Sequence, residues 1–257
     1  RLQREAKRVL AVVATAGSTA TGSFDDLEAI GRLCEARGIW LHVDAAHGAS
    51  ALLSRRHRGL LGGLARASSI AWDPHKMMLV PLSAGMLLVR REVDLEAAFA
   101  QRAPYLFHGS VGPRWDQGVR SFQCSRRFDA LKVWVALQRY GADGIAALHD
   151  RLVELTLALH AEVERHPDFE AIHAPETNIL CFRYVRAPAG SDLDELNRRL
   201  REAYNLSGDG WITSTVLGGR RVLRVTVMNP RTQLLHLERL LGGLAATAER
   251  LVAGAPG

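Results

Sequence analysis

The segment from Arg8 to Ala16 is an almost unbroken apolar run, the pattern of a strand buried on both faces. A loop over 17–22 follows. Ser23 then stands as an N-cap with Asp26 three residues on, and Phe24, Leu27, Ile30, Leu33 and Cys34 recur at helical spacing until Gly38 ends the helix. Ile39 to Ala45 predicts a second strand, Ala51 to Ala67 a helix, Ser69 to Trp72 a short strand and Ala84 to Val89 another. Strands alternating with helices predict an α/β fold with a mainly parallel sheet and right-handed crossovers.

Glu92 to Ala103 predicts a helix, and Tyr105 to Gln123 a long polar loop of the kind that is usually functional or mobile. Arg127 to Tyr140 is helical in pattern, with Phe128, Leu131, Trp134, Val135 and Leu137 on its apolar positions. Gly141 to Gly144 predicts a hinge, so residues 1–143 are expected to belong to a large domain and 144–257 to a small one. The second part mixes a long helix to about His166, short strands near 169–173 and 178–184, a helix over 193–204, strands over 212–217 and 222–228, and a final helix over 233–252. That is a smaller α+β layer.

Composition changes this picture little. The 257 residues are 47% hydrophobic and 23% charged, which suits a globular protein with a sizeable core. The net charge of +6 is spread along the chain in scattered arginines, so a basic surface is the reading rather than a nucleic-acid partner. Lysine is rare: only Lys7, Lys76 and Lys132 occur. A lysine amine can be deprotonated and an arginine guanidinium cannot, so each lysine is a candidate for chemistry. Cys34, Cys124 and Cys181 form neither a metal-ligand spacing nor a disulfide frame; no metal is expected, and a reducing cytoplasm is. The charged first residues are no signal segment, and no apolar run is long enough to span a bilayer. The chain lacks an initiator Met and enters a strand pattern almost at once, so a fragment is expected.

Three chemical groups share a position in this pattern. Thr19 follows the first strand, Asp44 ends the second, and Lys76 lies just past the third. In an open α/β sheet, ligands bind outside the carboxyl ends of the strands, so all three are expected to face one crevice. A strand-end aspartate alone also serves as a cap or a metal ligand, and His-Lys after Pro is often a surface turn. Together, an amine and a carboxylate at adjacent strand ends suit a pyridoxal-phosphate enzyme, which needs a lysine for a Schiff base and an acid to keep the pyridine nitrogen protonated.

The stretches Ala14-Thr-Ala-Gly-Ser-Thr19, Gly22-Ser-Phe-Asp25, Trp40-Leu-His-Val-Asp-Ala-Ala46 and Trp72-Asp-Pro-His-Lys76-Met-Met resemble the group II pyridoxal-phosphate-dependent amino-acid decarboxylases. These act on aromatic amino acids, glutamate, cysteine sulfinate or diaminobutyrate. The likeness continues through Tyr105-Leu-Phe, Gln123-Cys-Ser-Arg-Arg127, Leu131-Lys-Val-Trp134 and Arg224-Val-Thr-Val-Met-Asn-Pro230, covering nearly the whole chain in order. It implies the fold of pyridoxal-phosphate-dependent transferases (fold type I), pyridoxal 5'-phosphate as cofactor, and a homodimer. By resemblance, Lys76 is the Schiff-base lysine and Asp44 the pyridine-nitrogen partner. Ala46 packs on the ring, and Thr19 orients a ring-stacking histidine. His75 sits near the phosphate and Lys76, Ser125 is a cofactor contact, Tyr105 reprotonates the substrate carbon, and Arg224 resembles an arginine that in some members helps bind the substrate carboxylate.

The family's ring-stacking histidine and main phosphate loop would lie upstream of the first strand. Asp73 stands where animal members usually carry Asn, and a carboxylate near the phosphate would be repulsive unless nearby donors offset it. The loop after Tyr105 is shorter than in the glutamate enzymes. Decarboxylation of an acidic amino acid is the expected activity. Aromatic or diamino substrates, other fold-type I chemistries, and an inactive paralogue or fragment are the alternatives.

Overall fold

The computed structural model describes residues 9–99, 118–123 and 125–254. Its first sheet has the order β1 (Ala11–Thr15), β2 (Trp40–Asp44), β3 (Ser69–Trp72), β4 (Met86–Val89). The first three strands run parallel, with Thr15 beside Asp44 and Asp44 beside Ala71, while β4 returns antiparallel to β3. The parallel register puts the carboxyl ends of β1, β2 and β3 on one edge. Ala14, Leu41, Val43, Leu27 and Cys34 form the core beneath. Strand β1 departs from the expected two-sided burial: Ala14 is fully buried but Val13, on the other face, is 64% exposed.

The first helix, α1 (Leu27–Arg37), is capped by Asp26 rather than by Ser23, since the Asp26 carboxylate accepts the Ala29 N–H at 2.9 Å. Ser23 instead joins Ser18 and Thr21 in a hydroxyl cluster that shapes the loop after β1. Gly38 closes the helix in the left-handed region, as its position implies.

The helix expected over 51–67 is absent. Three short 3₁₀ turns, Gly48–Leu53, Arg58–Leu61 and Leu64–Arg66, carry the chain from β2 to β3. The buried Ser54 hydroxyl accepts the N–H groups of Arg56 and His57, diverting backbone donors from a helical ladder. Gly63 then adopts φ 86° where a Cβ would meet the Glu28 backbone nitrogen at 2.4 Å, so only glycine fits.

After α2 (Glu92–Ala98), the long α3 (Ala130–Arg165) contains one non-helical residue, Gly141 at φ 64° and ψ 176°. This breaks the helix at the start of the expected hinge. The second half of α3 packs on another sheet, ordered β5 (Phe169–Ala171), β6 (Ile179–Tyr184), β8 (Arg220–Thr226), β7 (Thr213–Leu217) and wholly antiparallel. Helices α4 (Leu193–Ser207) and α5 (Leu234–Val252) complete this layer. Every residue of β6 is buried, and Leu180, Phe182, Leu152, Leu159, Leu200 and Leu244 fill the core. Among the described residues, no helix is long and apolar enough to cross a membrane.

Candidate active site

The edge formed by the carboxyl ends of β1 to β3 gathers most of the residues singled out in the sequence. Asp44 is the last residue of β2 and is exposed; its Oδ1 accepts the Ala46 N–H at 3.2 Å. Among the described residues it has no cationic partner, so its carboxylate remains open to a ligand. Ala46 in turn accepts the Asp73 N–H at 3.0 Å, and Ala45 donates to Ala71 at 3.1 Å. These two backbone bonds lace the turn after β2 to the turn after β3, and thereby bring the Asp44 and Lys76 segments together.

Lys76 sits in a tight turn, its N–H donating to Asp73 O at 2.9 Å. Its Nζ lies 3.2 Å from Asp73 Oδ2. The residue that departs from the animal pattern therefore holds the lysine's ammonium. His75 Nδ1 lies 2.7 Å from the Ala84 carbonyl oxygen and 3.1 Å from its amide nitrogen, which pins the ring, and Nε2 is 3.8 Å from Asp73 Oδ2. Flanking side chains fix the turn: Met77 is fully buried in the core of the second sheet, whereas Met78, Val80 and Ala84 pack with Ile145.

The loop after β1 closes over this edge at close quarters. A Cβ on Gly48 would stand 2.5 Å from Ala16 O, and one on Gly17 would stand 2.7 Å from Gly48 N. Within this loop, the Thr19 side chain is exposed, and its backbone carbonyl makes the contact: Arg224 Nε donates to Thr19 O at 3.0 Å and to Ala20 O at 3.1 Å. Arg224 reaches the edge from β8. Burial lowers its pKa from the ordinary value, and no carboxylate faces it among the described residues; Thr213 Oγ1 lies 3.5 Å from one terminal nitrogen. A half-buried guanidinium without an acid partner is suited to receive an anion.

Ser125 is exposed just ahead of α3, and no hydrogen bond ties it to this edge among the described residues. Tyr105 lies outside the described residues.

One residue was not assigned from the sequence. His47, three positions beyond Asp44, has its Nε2 2.7 Å from Asn178 Oδ1. The Asn178 amide donates to Val227 O at 2.9 Å, so its oxygen is the acceptor and His47 carries the proton on Nε2. Burial, and to a lesser degree the positive charges of Lys76 and Arg224, lower the His47 pKa to about 4. A neutral imidazole thus stands among the cations of the site and ties the β2 turn to the second sheet. Its place inside His42-Val-Asp-Ala-Ala-His47-Gly was the available signal; its partner, remote in sequence, was not.

An amine, an open carboxylate and an unpaired guanidinium on one edge match the donor set that a pyridine ring bearing an aldehyde and an acidic amino acid would require. Comparison with known proteins agrees. The family described as "Pyridoxal-dependent decarboxylase conserved domain" matches residues 2–185. The acidic amino acid decarboxylase GADL1 of Mus musculus is 40% identical over 187 residues, covering 72% of this chain and 34% of that protein. The L-2,4-diaminobutyrate decarboxylase of Rhizobium meliloti is 36% identical over 255 residues, covering 98% of this chain and 51% of that protein. The crystal structure of mouse CSAD in apo form superposes with a TM-score of 0.84 at 33% identity, covering 93% of this chain and 52% of that one. The chain thus spans between about a third and a half of the length of these relatives. By sequence and by fold, this chain belongs to the pyridoxal-dependent decarboxylase family, with the fold type I architecture that its resemblance implied.

Proposed function

We propose that the protein to which this chain belongs removes the α-carboxylate of an acidic L-amino acid, giving the amine and carbon dioxide, with pyridoxal 5'-phosphate as cofactor. The observation that carries the reading is the meeting of Asp44 and the Lys76 turn across the Ala46–Asp73 and Ala45–Ala71 hydrogen bonds. Bound there, the cofactor would supply an aldehyde for the substrate amine and a protonated ring that draws electrons from the α-carbon.

The chain's own residues then have defined tasks. Lys76 holds the cofactor through Nζ, and the Asp73 carboxylate at 3.2 Å positions that amine beforehand. Asp44 keeps the ring nitrogen protonated by offering it a carboxylate. Ala46 leaves room against the ring face, while His75, Thr19 and Ser125 border the cofactor. Tyr105 returns a proton to the α-carbon. Arg224 offers its terminal nitrogens to a substrate carboxylate while its Nε stays on the 19–20 loop. That guanidinium favours acidic substrates over the diamino acids, as does the likeness to a relative named as an acidic amino acid decarboxylase.

The free, buried Cys34 and Cys181 support a reducing cytoplasmic setting. Phe128 just ahead of α3, and Leu131, Trp134 and Val135 on its first half, are all at least 46% exposed, and this apolar face supports a homodimer. The test is replacement of Lys76 by Ala in the full protein. The variant is expected to lose the cofactor's lysine-linked visible absorbance and all carbon dioxide release from glutamate, aspartate or cysteine sulfinate. Retention of that band, or turnover of none of these acids by the parent protein, overturns the reading.

A further inference from the structure

A second group of ligating side chains lies outside the edge described above. His57 sits between the first two 3₁₀ turns, and His149 and Asp150 lie on α3. We infer that His57, His149 and Asp150 form a site for one divalent transition-metal cation of the zinc class, clamping the segment after β2 to α3.

The geometry suits such an ion. One ligating atom from each of the three residues falls within 4.8 Å of the others. His57 Nδ1 is 2.9 Å from Asp150 Oδ1, and His149 Nδ1 is 3.4 Å from the same oxygen. Ligands held at ~2.0–2.1 Å around a tetrahedral zinc stand about 3.3 Å from one another, so these separations bracket what a shared cation needs. The two carboxylate–imidazole pairs need shifts of only a few tenths of an ångström, and the imidazole nitrogens lie within 4.8 Å of each other.

Burial and chemistry point the same way. The His149 side chain is 2% exposed, and those of His57 and Asp150 are 17% and 18%. The fully buried Ser54 Oγ is 3.3 Å from His57 Nδ1 and adds a neutral oxygen at the rim. Two imidazoles and one carboxylate favour zinc, cobalt or nickel over magnesium or calcium, which require more oxygen ligands. The nearby Arg56 also feels the Asp150 carboxylate, and its pairing with Glu154, on the same helix as Asp150, offsets part of its repulsion of a cation. His57 is more than ninety residues from the adjacent His149 and Asp150, which is why no spacing motif betrays the group and why the sequence leads to no metal being expected.

The consequence lies in the scaffold under the cofactor edge. The clamped segment includes Ser50, whose hydroxyl accepts the Trp72 Nε1–H at 3.1 Å, and Trp72 ends the strand that leads to Lys76. A cation would therefore stiffen the connection between the turn after Asp44 and the end of β3. This inference stands whether or not the decarboxylase reading holds.

The competing account is a carboxylate bridging two histidines through protons alone. Full-length protein, stripped with a chelator and dialysed, separates the two accounts. Titration with zinc by calorimetry, and with cobalt by visible absorption, is expected to show one ion per chain with micromolar or tighter affinity. Cobalt should give the intense d–d band of a low-coordinate site, and zinc should raise the melting temperature. Asp150→Asn and His57→Gln, both of which preserve shape, are expected to weaken binding at least about ten-fold. Two results overturn the proposal: no stoichiometric binding at a hundred micromolar zinc, or binding undiminished in both variants. Melting curves of the metal-free variants confirm that each is folded, so a loss of binding reads on the ligands.

Discussion

The neutral His47 makes folding stability depend on pH in a way that can be calculated and isolated. Its ring is partly buried and held to Asn178, with a folded pKa of about 4 against an ordinary value of 6.5. The folded value is depressed, so as pH falls the unfolded chain takes up the proton before the folded chain does. The contribution is therefore complete above about pH 6.5 and is lost as pH drops toward about 4. At 1.36 kcal/mol per unit, moving from pH 7 to pH 5 removes about 2 kcal/mol. Other groups add to the pH dependence, His149 among them, since burial lowers its pKa as well. The variant His47→Gln separates them: a glutamine amide can still donate to Asn178 Oδ1 but carries no titrating proton. Urea denaturation of the cofactor-free protein and of the variant, at pH 7, 6 and 5, should give curves that diverge, with the parent losing about 2 kcal/mol more than the variant. Parallel losses would show that the imidazole is solvated in the native state, and the argument for a neutral His47 amid the site's cations would fail.

Two further outcomes follow from the packing and the charge pattern. Phe182→Ala empties the centre of β6, where the ring is fully buried and meets Phe169 edge-on at 5.6 Å; a loss of about 3–5 kcal/mol in urea denaturation is expected, and a loss under about 1 kcal/mol would contradict the tight packing. Arg224→Gln removes the unpaired guanidinium. It should reduce kcat/KM for an acidic amino acid about ten- to a hundred-fold, mainly through KM, while a neutral amino acid is affected far less; equal losses for both would assign Arg224 to loop support alone.

The parts of the fold legible in the sequence were those where local pattern and tertiary environment agree. The continuous apolar runs gave β1 and β2, and Ser69 to Trp72 matched β3 residue for residue. The stretch 51–67 reads as a helix because Ala51, Leu52, Leu60, Leu61 and Leu64 imitate a helical face, while a buried serine hydroxyl and a glycine packed on the α1 backbone dictate separate turns. The cap of α1 is ambiguous in sequence for a related reason: Ser23 and Asp26 both suit the role, and only the hydroxyl cluster in the loop decides between them. His47 carries no role that sequence alone shows, because its meaning depends on Asn178, which lies in another layer of the fold.

The position of Lys76 shows why motif and structure carry different information. The sequence marks an amine after Pro-His, but an amine on a four-carbon stem could reach many places. Its pose is set by the residues that follow it. Met77 enters the core shared by α3, β6 and α5, and Met78 enters a separate cluster with Val80, Ala84 and Ile145. Two adjacent side chains sunk into different clusters leave the turn little freedom to rotate, so the Lys76 ammonium is held beside Asp73 rather than in open solvent. The same anchoring joins the site to the second sheet, because Met77 belongs to the core of that layer. The layer that supplies Asn178 and Arg224 to the edge thus also fixes the lysine, and disturbing its packing should be felt at the amine as well as in stability.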